Sequence, residues 1–574
     1  MRLSTEADRD EERGIAVVRA ALDSGAMLLD TADAYCHDEH DVGHNERLIA
    51  RALDGWAGDR SPITIATKGG MRRPNGSWLV DGRARHLRDA CDASRRALGV
   101  ETIDLYQLHA VDAKTPLETS VRALAKLQEE GKIREVGLCN VTVSQIRAAQ
   151  SIVRLAAVQV SLSPFDDENL RNGVAEYCAD EGIRLIAYRP LGGDRGRQLA
   201  RDSVLARVAE KHDVSVQEMV LAWLMSFRAE VVPIPGATRV ETATSLARAL
   251  SVSLDDEDCA ALDARFSGRL LRVPRAERRP RDDADGEVVI VMGMPGAGKS
   301  VVAHAMEREG YERLNRDILG GSLADLIPHL GERLAGRRPR VVLDNTYPTR
   351  KSRNEVIEAA WQRGARVRCV WLTTDVPNAQ INSIRRMLDV HGRLPSPEEI
   401  RQLGKKDTRY LLPDAQFRYE RTLEPPTLEE GFASVEAHPF VREPDPNDGR
   451  ALILDFDNVV ESTNVAGTLA RHRREGWLIL VHAWRPQATP PEVEETFARI
   501  REVLGEDVDV ACCPHDAGPP VCWCRKPIPG SVLEFAMRRR VALERSIVVG
   551  ASAADRTMAE RIGARFEVSS AFFG

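Results

Sequence analysis

The chain has 574 residues, past the length at which a single hydrophobic core stops growing, so two to four domains are expected. With 43% hydrophobic and 29% charged residues and a formal net charge of −7, it cannot be a disordered or collagen-like chain. No run approaches about 18 apolar residues, and the opening MRLSTEADRDEER lacks the basic and apolar regions of a signal peptide, so a cytoplasmic protein with no membrane partner is expected.

Only ten of the 80 basic residues are lysine. Arginine can replace lysine on a solvated face, but not where a compact or deprotonatable amine is required, so each remaining lysine is worth inspecting. Of ten cysteines, six (Cys36, Cys91, Cys139, Cys178, Cys259, Cys369) are scattered singly and read as reduced core positions. The other four crowd into 512–524 and suggest a metal. Two charged, Pro-containing stretches, 271–286 and 444–449, read as linkers. They delimit domains at 1–270, 287–443 and 450–574.

In the first domain short apolar runs alternate with helical-period stretches: MLLD from 27, ITIAT from 63, IDLYQLH from 103, EVGL from 135, AVQVSL from 157, RLIAY from 184 and VVPIPG from 231. That alternation predicts a parallel α/β sheet, and its size and spacing favour a TIM (β/α)8 barrel in which one strand is missing. Barrel chemistry sits at the C-terminal strand tips, which here carry Asp30 and Tyr35, Lys68, His109 and Asn140. An ammonium beside a phenol lowers its pKa and lets it donate a proton to a carbonyl oxygen as hydride arrives.

On the blocks LLDTADAY, VGHNERL, ATKGG, ETIDLYQLHAVD, GKIREVGLCNVT, LIAYRPLGG and PIPGATRVE the domain resembles the aldo-keto reductase family. The resemblance implies Tyr35 as general acid tuned by Asp30 and Lys68, with His109 orienting a small carbonyl substrate. It also implies NADP(H), with Asn140 and Gln159 on the nicotinamide carboxamide, Tyr188 stacked on its ring and Arg239 near the adenosine 2′-phosphate. Cys139 and Arg189 stand where the family usually has serine. MRLST corresponds to the exit of the family's first strand, so further chain is expected upstream.

In the second domain EVVIVM at 287–292 is followed by Gly293-Met-Pro-Gly296-Ala-Gly298-Lys299-Ser300 and a helical stretch, the strand–loop–helix setting of a P-loop. Its glycines let backbone N–H groups face the β-phosphate of ATP, Lys299 reaches the β and γ oxygens, and Ser300 holds Mg²⁺. Asp317, after a second short strand, is placed to deprotonate an acceptor hydroxyl, as a kinase requires; its other reading is a helix N-cap. Arg385 and Arg386 suit a lid on the leaving phosphates.

GMPGAGKS, LNRDILG, VVLDNTYPTRKSRNEVIEAA and LEPPTLEEGF resemble the kinase domain of polynucleotide 5′-hydroxyl kinases. This implies Asp317 as general base on the 5′-OH of a nucleic-acid end, Arg316 at the acceptor phosphate, and Asp344 and Asn345 lining the acceptor site. Arg337, Arg338 and Arg340, and Arg350, Lys351 and Arg353, could track a nucleic-acid backbone or be solvated helix faces.

The third domain opens with ALILDFDNVV, whose Asp455 and Asp457 could serve as nucleophile and proton shuttle around Mg²⁺. With Lys526 in CRKPIPG and Asp555 in the last motif it resembles the haloacid dehalogenase superfamily, near histidinol- and heptose-bisphosphate phosphatases. Cys513, His515, Cys522 and Cys524 match that group's zinc loop and can close a tetrahedral structural site. Three motif positions depart: Asn458, His482 and Ala551.

The leading expectation is an ATP-dependent polynucleotide kinase joined to a reductase barrel and a phosphatase-like domain, degenerate or active. One alternative is a metabolic NADPH-dependent carbonyl reductase whose kinase acts on a small alcohol. Another is a single live kinase flanked by non-catalytic binding domains.

Overall fold

The computed structural model describes residues 1–574 except 7, 228–229, 281–283, 444, 461–463 and 519–521. The chain divides into two compact units, Met1–Arg279 and Pro280–Gly574.

In the first unit all seven anticipated strands form: β1 (Leu28–Asp30), β2 (Thr64–Gly69), β3 (Ile103–Leu108), β4 (Ile133–Cys139), β5 (Leu155–Ser161), β6 (Arg184–Tyr188) and β7 (Val231–Ile234). They pair in parallel in chain order, and among the described residues no ladder joins β1 to β7. The barrel is therefore nearly closed. The helix Glu11–Asp23 packs against both His44–Asp54 and Val240–Ala247, carrying the outer helical ring across that gap.

Side chains two apart on a strand share a face, so each strand contributes to successive interior layers. The lower layer is apolar, built from Ala66, Leu105, Ala157 and Ile186 with Leu28 and Ile234 against them. Two residues further along the same strands stand Lys68, Gln107, Gln159, Tyr188 and Asp30. The period that fills the core thus delivers a polar layer to the barrel mouth.

In the second unit β8 (Gly286–Met292), β9 (Glu312–Leu314), β10 (Arg340–Asp344), β11 (Ala365–Leu372) and β12 (Ser434–His438) form a parallel sheet in the order β9-β10-β8-β11-β12. A further parallel sheet holds β13 (Ala451–Asp455), β14 (Leu478–Trp484), β15 (Asp509–Cys513), β16 (Ile547–Gly550) and β17 (Arg565–Val568), ordered β15-β14-β13-β16-β17. Strand β13 alternates: Leu452 and Leu454 enter one core cluster, Ala451 and Ile453 another. The second cluster also contains Ile381, Ile384 and Leu388, so the helix Val376–His391, which follows β11, shares hydrophobic core with the second of these sheets.

The stretch 271–286, expected as a linker, begins as short helical turns on the barrel unit, where Leu271 is buried and Arg275 and Arg278 pair with Glu176. Residues 281–283 and 444 of the two expected linkers lie outside the described residues. No described helix is long and apolar enough to cross a membrane.

Candidate functional sites

At the barrel mouth Lys68 is 2% exposed and donates to Asp30 Oδ2 at 2.6 Å, to the Thr31 carbonyl at 2.8 Å and to the Tyr35 hydroxyl at 3.2 Å. Burial disfavours its charge, but Asp30 and Tyr35 outweigh that and raise its pKa. The His109 ring meets Tyr35 edge-on at 5.7 Å, and burial followed by the Lys68 charge lowers its pKa to about 3, so His109 is neutral. The Tyr35 phenol departs from expectation: burial outweighs the Lys68 attraction and pushes it up to about 12. The ammonium moderates this acid without making it a strong one.

Gln159 donates to Asp30 Oδ1 at 3.2 Å, and Tyr188 donates to Asn140 Oδ1 at 2.9 Å, which brings these three side chains and Asp30 into one cluster. Asn140 has φ +56°, a left-handed conformation that asparagine tolerates at a strand tip. Two carboxamides beside a phenol fit a nicotinamide amide and ring. Arg239 lies apart, exposed, at the start of the helix Val240–Ala247. Cys139, the departure from serine, is buried with its thiol facing Gln159 and Gln107.

Sequence reasoning overlooked Gln107, whose buried Nε2 has no described partner, and the pair Arg73 and Trp78. The Trp78 ring lies 6.2 Å from His109, and the Arg73 guanidinium covers it at 4.0 Å. Both come from a short hairpin after β2, which follows neither helical nor strand period long enough to signal itself.

The profile of the aldo/keto reductase family matches residues 1–265. A probable aldo-keto reductase of Glycine max is 31% identical over 276 residues, covering 43% of this chain and 78% of the relative. The chain belongs to the aldo/keto reductase family. An uncharacterized oxidoreductase of Schizosaccharomyces pombe is 33% identical over 257 residues, covering 44% of this chain and 79% of its own. A solved Klebsiella pneumoniae aldo-keto reductase in complex with NADPH is 25% identical over 46% of this chain and 88% of its own, with TM-score 0.39. Beyond the reductase unit, the profile of an AAA domain, a P-loop nucleotide-binding domain, matches residues 288–396.

That P-loop is built as its motif requires. Gly296 has φ +88°, and a Cβ there would meet the Ala379 carbonyl oxygen at 2.3 Å; Gly298, at φ +94°, opens onto the helix Lys299–Arg308. Gly293 turns the chain out of β8. Lys299 donates to the Gly293 and Met294 carbonyls, both at 2.9 Å. Burial lowers the Lys299 pKa to about 8 against the pull of Asp344 and Asp317, with Arg386 and Arg316 adding to the depression.

Asp344 departs from the acceptor-side position expected for it. Sitting at the tip of β10, next to β8, it accepts from Ser300 Oγ at 3.1 Å, a pairing that fits Mg²⁺ bound to a P-loop serine and a neighbouring strand-tip acid. Arg313, which the sequence reading passed over, clamps it with bonds of 3.0 and 2.7 Å. Asn315 also donates to Asp344, at 2.8 Å, and caps Asp317 N at 2.6 Å. Asn315 rather than Asp317 is therefore the N-cap, and the Asp317 carboxylate is left to face the site. Asn345 Oδ1 accepts from Arg316 N at 3.1 Å, and the Arg316 guanidinium is 3.7 Å from Asp317.

Of the expected lid arginines only Arg386 turns to this site, donating to the Arg409 carbonyl. Arg385 instead faces Asp445 at 3.7 Å, because adjacent helical residues point about 100° apart. Arg353 belongs to no surface patch either; wholly buried, it makes a two-bond pair with Glu430 at 2.7 Å each. Arg340 stacks on Tyr311 at 4.0 Å.

At the third sheet the expected Mg²⁺ site on Asp455, Asp457 and Asp555 does not assemble. The Lys526 ammonium bonds both Asp455 and Asp555, standing where a cation would compete, and Asp555 also accepts from Ser552 Oγ at 2.6 Å. Asp457 is turned outward into a two-bond pair with Arg485 at 2.7 and 2.9 Å. Ala551 supplies no ligand, and His482, opposite Asp455 in register, is buried with its pKa lowered to about 4 by desolvation, then by Lys526.

The cysteine cluster does converge. Ligand atoms of Cys513, His515, Cys522 and Cys524 all lie within 4.8 Å of one another. Cys513 Sγ is 3.8 Å from Cys522 Sγ, and His515 Nδ1 is 3.6 and 3.3 Å from Cys513 and Cys524 Sγ. Tetrahedral zinc with Zn–S of about 2.3 Å requires sulfur pairs about 3.8 Å apart, so the set fits that ion.

Proposed function

We propose that the chain reduces small carbonyl compounds with NADPH at the barrel mouth and transfers the γ-phosphoryl of ATP to the 5′-hydroxyl of a nucleic-acid end in its second unit. The nicotinamide would be held by Asn140, Gln159 and Tyr188, with Arg239 on the 2′-phosphate, and would supply the hydride. Tyr35 donates the proton to the carbonyl oxygen, neutral His109 orients that oxygen, and Lys68 limits the cost of the developing phenolate.

For phosphoryl transfer the carrying observation is that Asn315 takes over the capping role, so the Asp317 carboxylate does not cap the helix, and its charge acts on the P-loop lysine. Asp317 then accepts the acceptor's proton, Arg316 contacts its phosphate, and Lys299 with Arg386 stabilises the transferring group. Mg²⁺ at Ser300 and Asp344 would supply further charge neutralisation on the phosphates.

The third sheet is proposed as a zinc-stapled scaffold rather than a phosphatase, since its carboxylates are already neutralised by Lys526 and Arg485. One observation favours a small alcohol as the acceptor: Arg353, expected to track a nucleic-acid backbone, is buried in a pair with Glu430. Radiolabelled ATP offered with a 5′-hydroxyl oligonucleotide and, separately, with a panel of sugars decides between them. Label on the oligonucleotide supports the end-kinase reading, and label confined to a sugar replaces it.

A further inference from the structure

Three consecutive residues of the segment after the helix Pro397–Gly404 are tied to the P-loop site. Asp407 is held by Arg409 through bonds of 3.0 and 2.7 Å, and the Arg409 carbonyl accepts from Arg386. Between them Thr408 donates its hydroxyl proton to Asp317 Oδ1. Thr408 Oγ1 therefore occupies the position that an acceptor hydroxyl takes on the general base, within the field of Lys299 and Arg386.

We infer that Thr408 is a built-in acceptor: with no external alcohol bound, the second unit transfers the γ-phosphoryl of a nucleoside triphosphate to Thr408 Oγ1. The Oγ1–P bond forms as the bond from phosphorus to the β–γ bridging oxygen breaks, the nucleoside diphosphate leaves, and the hydroxyl proton passes to Asp317. The phosphorylated threonine would bring about −2 charge against Asp317 and expel the segment, opening the acceptor seat. An external alcohol bound in that seat displaces Thr408, so labelling of the chain and of the acceptor compete. This inference rests on the phosphotransferase reading above, with Asp317 as base.

The test uses the full chain with ATP and Mg²⁺ and no acceptor, read by intact mass and phosphopeptide mapping. One added phosphoryl group is expected, at residue 408, reduced at least tenfold when a saturating alcohol acceptor is present. Thr408→Val and Asp317→Asn should lose it, and Thr408→Ser should retain it at the same position. Without nucleotide, Thr408→Val should speed tryptic cleavage at Lys405 and Lys406 several-fold, because the latch to Asp317 is gone; unchanged cleavage would mean the hydroxyl is not seated there and overturns the inference. A wild-type chain that phosphorylates an added alcohol but carries no phosphate on Thr408 also overturns it and leaves the transfer reading standing. Label on neither chain nor acceptor sinks both.

Discussion

Tyr35 is the group proposed as proton donor at the barrel mouth. With its pKa raised to about 12 by burial it stays protonated, while His109, lowered to about 3, stays neutral. Neither changes state between about pH 6 and 9, so kcat/KM for carbonyl reduction is expected to be flat across that range. A midpoint near pH 7 or 8 would show another group acting as acid. Tyr35→Phe should lower kcat by about 10²- to 10⁴-fold while NADPH binding, followed by quenching of tryptophan fluorescence, is retained. The positions of Asp30, Lys68 and His109 at or just beyond strand tips were legible in the sequence because an apolar run marks each strand, and Tyr35 follows in the loop after the first. The direction of the phenol's shift was not, since it depends on how far the mouth excludes water, a quantity set by the hairpin carrying Arg73 and Trp78 and by helices far away in sequence.

At the scale of single elements, legibility follows the range of the interaction. The P-loop is a local turn, and its glycines reported themselves. Arg353 read as part of a basic run because Glu430, which neutralises it, lies 77 residues away. Arg385 and Arg386 read alike because a string of letters carries no helical phase relative to a site not yet located.

The convergence of Cys513, His515, Cys522 and Cys524 was legible for the same local reason, and their loop also carries Trp523, whose indole donates to the Leu411 carbonyl at 3.1 Å. Metal analysis of the full chain is expected to find one zinc per molecule, and Cys522→Ser to bring this close to zero. Because the loop supports a shared core, the same substitution or a strong chelator should lower the melting transition of the Pro280–Gly574 unit by several degrees. Zinc absent from protein grown with ample metal would reject the assignment.

Three domains were anticipated from composition breaks, and the described residues form three large parallel sheets, yet the cores do not partition in three. A break in composition marks where the chain is polar, whereas a folding unit is defined by which apolar faces cover each other. The helix Val376–His391 sends Ile381, Ile384 and Leu388 into the same cluster as Trp523, Val532 and Phe535, so removing either partner exposes that surface to water. Burying each such side chain contributes about 1.5–3 kcal/mol, which for six residues is comparable to the whole stability of an average domain. A fragment spanning 280–574 is therefore expected to unfold in one cooperative transition, while fragments 280–443 and 450–574 expressed apart should bind a hydrophobic dye and melt broadly or aggregate. The contrast should appear in calorimetry, where adding the 450–574 fragment to the 280–443 fragment would restore part of the sharp transition. Two fragments that each melt sharply when alone, with no gain on mixing, would mean that the shared cluster contributes little, and the second unit would then be two independently stable domains.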